Sequence, residues 1–291
     1  MSFVILPQSA PGTELELTSC YREPVIKCPV ASNIEVVSAA GCELDYSNAA
    51  SGYVMVKYTG CCEYAYVKII QEELENTFKI FCSDDYTTLP LVGGSSSYSI
   101  SFFEPEPSAG EYVCVKVLES DLIVKLDDEY SPYLYPNQMV WFTEESSAIQ
   151  YSGELLDPSM SDSEVVAAIY RYTVETIAVD YELIRQIRSG AVSERSVLDV
   201  DSIYLEQSGV CLDYAVLMTA MLRSQQIPTK LIVGYIDTGW HSWVSVYTEE
   251  EGWVLYDPGT AAAIKRSNLL NSYFWRYSDS LNFTYEAVHI Y

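Results

Sequence analysis

The stretch Gly209-Val210-Cys211-Leu212-Asp213-Tyr214-Ala215-Val216-Leu217-Met218-Thr219-Ala220-Met221-Leu222-Arg223, with Ile227-Pro228-Thr229-Lys230 behind it, decides how the second half of this chain folds. From 211 to 225 the apolar residues fall on every side of a helical wheel, which predicts a helix enclosed by the rest of a domain. Pro228 cannot continue that helix, and the residue before it is biased toward extended backbone. Three runs rich in β-branched and aromatic residues follow at 229–235, 242–247 and 253–256 and read as strands. Upstream, Ser161 and Glu164 have the spacing of a capping box, and Val165, Ile169, Tyr172 and Thr176 recur at helical intervals, predicting a helix over 162–178. Helices followed by a sheet make an α+β layout.

Working outward, the first half has a different period. Between 34 and 125 the chain offers short strands rich in Val, Ile and Tyr, among them 52–58, 65–70, 97–103 and 112–117. Gly93-Gly94-Ser95-Ser96 and 105–110 punctuate them as turns. The expectation is an all-β antiparallel sandwich of immunoglobulin-like size over 1–135, then an α+β domain over 136–291. The aromatic stretch Tyr133-Leu134-Tyr135-Pro136-Asn137 reads as the crossing between them, with the boundary somewhere in 129–151.

Composition removes several classes of function. Of the 291 residues, 49% are hydrophobic and 20% charged, enough apolar surface for packed cores and too much for a disordered chain. Asp and Glu outnumber Lys and Arg 41 to 16, a formal charge of −25 that repels phosphate backbones, so no nucleic-acid partner is expected. No apolar run approaches the roughly 20 residues of a spanning helix, and 3–6 is too short for a signal-peptide core. As it stands the chain reads as cytoplasmic; behind a leader it would be secreted or on the cell surface. Cys20, Cys28, Cys42, Cys61, Cys62, Cys82 and Cys114 lie in the first half with no C-x-x-C pair, so buried reduced thiols are expected rather than a metal site or a disulfide framework. The oligomeric state is not readable from the sequence.

Cys211 stands apart, at the predicted amino end of the enclosed helix, where partial positive charge and free N–H groups favour a thiolate and face an oxyanion. Taken alone, such a cysteine is more often a small buried hydrophobe. A thiolate nucleophile needs a base that also protonates the leaving amine, and the chain has only two histidines. His289 sits in a strand-like run over 287–291 and reads as an edge residue. His241 opens a strand between Trp240 and Trp243, aromatic groups able to line a substrate groove or shield an ion pair. Asp257 ends the next strand. If Tyr247 pairs with Trp253, Asp257 opposes Trp243 and lies diagonal to His241, roughly 7–8 Å away between backbones. A one-residue slip would put the two on opposite faces, and Asp257-Pro258-Gly259 is also an ordinary turn signal.

These pieces occur in a fixed order: the string from Gly209 to Ala215, Leu222-Arg223, Ile227-Pro228-Thr229-Lys230, Gly234-Tyr235, His241-Ser242-Trp243, Gly252-Trp253 and Asp257-Pro258. Together, over 157–260, they closely resemble the transglutaminase-like superfamily. The resemblance implies a papain-like α+β core in which Cys211 is the nucleophile, His241 the general base and acid, and Asp257 the carboxylate that orients the ring. Ser242 stands where alanine is usual, and Gly259 where threonine is usual. Family members complete the oxyanion hole with an upstream aromatic or amide side chain; Tyr181, Tyr204 and Gln207 are candidates, and Tyr181 is preferred. The aromatic connector resembles segments that precede this domain in two-domain bacterial members. The expected chemistry is acyl transfer on a protein or peptide amide through a thioester, hydrolytic rather than cross-linking, and it implies no metal or organic cofactor. The alternative is a binding module on the cell surface built on a dormant site.

Overall fold

The computed structural model describes residues 20–106, 113–192, 198–266 and 283–291. The apolar run at 3–6 and most of the turn expected at 105–110 lie outside them. Eight strands occupy the first half: β1 Val36–Ala39, β2 Cys42–Asp45, β3 Tyr53–Tyr58, β4 Tyr64–Gln71, β5 Leu74–Phe81, β6 Ser83–Pro90, β7 Ser97–Pro105 and β8 Cys114–Ile123. They form two antiparallel four-stranded sheets, ordered β1-β2-β3-β6 and β5-β4-β7-β8. Alternation along a strand decides which side chains enter the core. On β4, Ala65, Val67 and Ile69 are buried while their neighbours are at least partly exposed, and on β5 Asn76, Phe78 and Ile80 take the same role. Strands β5 and β6 are not separately legible in the sequence, because the polar run Ser83-Asp84-Asp85 interrupts the apolar pattern; Ser83 pairs with Tyr58 of β3 across a register shift.

The expected burial of the cysteines needs correcting. All eight are unbridged, but only Cys42 is buried; Cys20, Cys28, Cys61, Cys82 and Cys114 are exposed, because they lie in the leading segment, in turns and at strand ends rather than on core-facing positions.

The second half begins with α1 Ser147–Leu155 and α2 Asp162–Thr176. Ser161 and Glu164 close the capping box in both directions. α2 stops two residues short of the expected end because Ala178–Val179, strand β9, pairs in parallel with Ser208–Gly209, strand β10. Between them lie α3 Tyr181–Arg188 and α4 Val200–Glu206, neither foreseen. α5 Cys211–Ser224 is buried from Asp213 onward. β11 Thr229–Ile236, β12 Gly239–Thr248, β13 Gly252–Tyr256 and, after α6 Pro258–Arg266, β14 Glu286–Ile290 make an antiparallel sheet ordered β13-β12-β11-β14.

The aromatic connector is no loose linker. Tyr133 and Leu134 are buried, Tyr135 packs its ring 4.7 Å from Tyr53, and Tyr133 meets Trp253 edge-on at 5.3 Å. One continuous apolar core runs from Leu44 and Phe102 in the first half to Val216 and Val244 in the second. Arg223, fully buried at the carboxy end of α5, closes the junction: its guanidinium donates to the carbonyls of Thr229 (3.0 and 2.8 Å), Tyr135 (2.8 Å) and Tyr291 (2.8 Å). A buried cation is tolerated only when its donors are met, and here three chain segments meet them. At the sheet edge, Asn76 of β5 donates to the Ile290 carbonyl at 3.0 Å, so β14 is held from the strand-rich side.

Candidate active site

The backbone ahead of Cys211 is extended because β10 pairs with β9, and it must turn into α5 within one residue. Asp213 makes that turn possible: its carboxylate accepts from the Val210 amide at 2.8 Å, satisfying a group that the start of a helix leaves without a partner. Gly209 belongs to the same device, since a Cβ there would stand 2.6 Å from Asp213 Cβ. The Tyr214 hydroxyl, donating to the Ile177 carbonyl at 2.6 Å, ties α5 back to the segment entering β9. Cys211, half-buried, is thus the first residue of a helix whose amino end is rigidly placed.

His241 lies within β12, opposite Gly234 of β11, rather than opening the strand. The register places Tyr247 opposite Trp253 and Val244 opposite Tyr256, so Asp257 follows at the height of Trp243, on the side of the sheet that carries His241. The ring Nε2 of His241 lies 2.8 Å from Asp257 Oδ2. Cys211, at the start of α5, is close enough to the same ring to act on its charge, and with Nε2 turned to the carboxylate the other ring nitrogen is not engaged by it. Burial opposes a charge on the imidazole, but the hydrogen bond to Asp257, the attraction of that carboxylate and the nearness of Cys211 outweigh it, and its pKa is pushed up to about 10. The ring is therefore biased toward imidazolium.

Asp257 is 2% exposed and caps a helix, where the sequence signalled only a turn. Oδ1 accepts from the Thr260 amide at 2.9 Å, with Pro258 at the first helical position. That arrangement explains the unusual Gly259: a Cβ there would come to 3.1 Å of Cys211 Cα and 3.3 Å of its Cβ, so glycine lets α6 start directly against the cysteine. Two contacts had no signal beyond their residue type. The Thr260 hydroxyl lies 3.3 Å from His241 Nε2, and the Tyr285 hydroxyl donates to Asp257 Oδ2 at 2.9 Å.

The remaining expected residues separate. Trp243 does not line a groove: it is 2% exposed, because alternation turns it inward beneath His241, with the two rings 20° from parallel and 6.4 Å apart. Trp240, 53% exposed, meets Tyr235 edge-on at 4.9 Å and lies on the opposite face of its strand from His241. Tyr181, 63% exposed, starts α3 two residues after the strand that pairs with Gly209. Tyr204 packs against Tyr151 at 5.5 Å, and Gln207 caps α4 in the left-handed region. His289 sits on β14 with Nδ1 3.2 Å from the Glu75 carbonyl, away from Cys211. Among the described residues no cluster of His, Cys, Asp or Glu is arranged to hold a metal, and no helix is long and apolar enough to cross a membrane.

Residues 149–258 match the transglutaminase-like superfamily model. Among solved structures, the chain is similar to a candidate cysteine protease from Cytophaga hutchinsonii, at 13% identity over 77% of this chain and 78% of that one, TM-score 0.36. It is also similar to the periplasmic domain of TgpA from Pseudomonas aeruginosa (14% identity, 75% and 71% covered, TM-score 0.34) and to red sea bream transglutaminase (13% identity, 71% and 47% covered, TM-score 0.28). No curated protein matches the chain. The chain carries a transglutaminase-like core, and Cys211, His241 and Asp257 all fall within it.

Proposed function

We propose that this protein is a cysteine-dependent acyl-transfer enzyme acting on protein or peptide amides, with Cys211 as nucleophile, His241 as general acid and base, and Asp257 as the orienting carboxylate. The observation that carries this reading is that an imidazole held by a buried carboxylate at 2.8 Å and a cysteine at the start of a helix come together, with α6 beginning at that carboxylate and directly against the cysteine. In that arrangement the ring takes the thiol proton as the sulfur, at the amino end of α5, attacks. Cys211 attacks the amide carbonyl, and the oxyanion that forms meets the N–H groups that a helix start leaves free. The imidazolium then protonates the departing ammonia or amine, leaving a thioester. Water, deprotonated by the neutral ring, attacks the thioester and releases the acid and the thiol.

Hydrolysis is the preferred outcome because water needs no dedicated acceptor site. Tyr181 is assigned, on its nearness to the β9–β10 pair, as the side-chain contributor to the oxyanion hole. Residues 136–291 are taken as the catalytic domain and 1–135 as an accessory β-sandwich of immunoglobulin-like size, in keeping with the two antiparallel sheets. A dormant binding module is the second reading, and the exposed Trp240 and Tyr235 favour it.

The deciding experiment incubates the protein with a proteome and a labelled primary amine, followed by mass spectrometry. New termini are expected from peptide hydrolysis and glutamate in place of glutamine from deamidation. Amine incorporation would instead make the enzyme a cross-linker, and the absence of all three, with Cys211 inert to iodoacetamide, would leave the binding module.

A further inference from the structure

We infer that Tyr285 is a positioning residue which, together with the Thr260 amide, clamps the Asp257 carboxylate against His241. This inference rests on the acyl-transfer reading of the site. Asp257 lies one residue beyond β13, its carbonyl accepting from the Ala261 amide at 3.1 Å; that places the backbone and leaves the rotation of the carboxylate to its side-chain contacts. Oδ1 is held by the Thr260 amide at 2.9 Å. Oδ2 is shared: it faces His241 Nε2 at 2.8 Å and receives the Tyr285 hydroxyl at 2.9 Å. With a donor on each oxygen the carboxylate cannot rotate without losing a charge-assisted hydrogen bond.

The phenol is itself wedged in place. Its ring meets Trp243 edge-on at 5.0 Å, and Trp243 lies nearly parallel to the imidazole, so tyrosine, tryptophan and histidine form one packed wall behind the carboxylate. Burial and the adjacent Asp257 both raise the Tyr285 pKa, so it remains a donor wherever the enzyme could work. The other groups facing this carboxylate and ring are Tyr170 from α2, also held neutral by burial and by Asp257, Tyr256 beside it, and Cys211 from α5. No lysine or arginine pairs with Asp257 among the described residues, which leaves Tyr285 and the Thr260 amide to do the fixing.

The chain's two histidines make the test direct. The full-length protein, labelled with 15N-histidine, is titrated by NMR, with His289→Gln assigning the second signal. Tyr285→Phe keeps the ring against Trp243 and removes only the hydroxyl. The expected result is that the His241 midpoint falls by about one pH unit, roughly tenfold in its protonation equilibrium, while the His289 midpoint stays put and certifies the fold. In an Asp257→Asn background the same substitution should do nothing further. An unchanged midpoint, an upward shift, or full additivity with Asp257→Asn would each overturn the assignment. If wild-type His241 titrates near the ordinary 6.5 and Cys211 resists iodoacetamide, the triad itself fails; if wild type behaves as expected and only Tyr285→Phe is silent, Tyr285 alone loses its role.

Discussion

The two halves of the molecule bury charged side chains to different ends. In the strand-rich half, Asp45 is buried in order to close a turn: it accepts from the Asn33 amide at 2.7 Å and the Ser47 amide at 2.9 Å, and its partners are all local backbone or hydroxyl groups. In the helix-bearing half, Asp257 and Arg223 are buried beside or on α5 and join segments far apart in sequence, while Asp213 closes the turn into α5 much as Asp45 closes its own. A buried charge used for a turn can be replaced locally. A buried charge that orients a ring beside a thiol cannot, because the geometry between elements is its purpose.

The comparison breaks first at Cys211. Cys211→Ala is expected to remove turnover by on the order of 10⁴-fold or more and to abolish rapid iodoacetamide labelling at neutral pH. Labelling that continues at full rate would move the reactive thiol to the first half, where exposed cysteines are plentiful. Asp257→Asn should cost roughly 10³- to 10⁴-fold in kcat, since the amide can hold the wrong tautomer of His241. It should also bring the His241 midpoint below the ordinary value, because burial then acts with less opposition.

Arg223→Leu tests structure rather than chemistry. Three carbonyls lose their donor, and a loss of roughly 3 kcal/mol or more is expected in urea unfolding. A loss under about 1 kcal/mol would show that the junction between the halves is held by apolar packing alone. The pH dependence follows from His241. Its pKa is raised on folding, so its contribution to stability is fully present below about 6.5 and is lost as pH climbs toward about 10. Urea midpoints measured across that window should fall, and His241→Gln should flatten the decline. The smallest effect belongs to the first half: Tyr58→Phe removes a hydroxyl that donates to Glu104 at 2.6 Å and should cost about 1–2 kcal/mol, with the iodoacetamide rate at Cys211 unchanged.

By itself the sequence determined the helix from Cys211 and the three strands after it, because an apolar helical run, a helix-ending proline and β-branched runs are local signals, while the register of Tyr247 on Trp253 was one of two possibilities until the sheet decided it. The order of the motifs also determined the transglutaminase-like core. Only the tertiary structure decided that Trp243 is buried and Trp240 exposed, since one alternating pattern fits either face until something packs on it. It likewise decided that Asp257 starts a helix, that Gly259 makes room for Cys211, and that Tyr285, 28 residues further along the chain, reaches back to the carboxylate. Contacts of that kind leave no period and no spacing in a single chain. They come from how sheet and helices close on one another, and the physics that selects them is the satisfaction of buried donors and acceptors, which cannot be assessed before the elements meet.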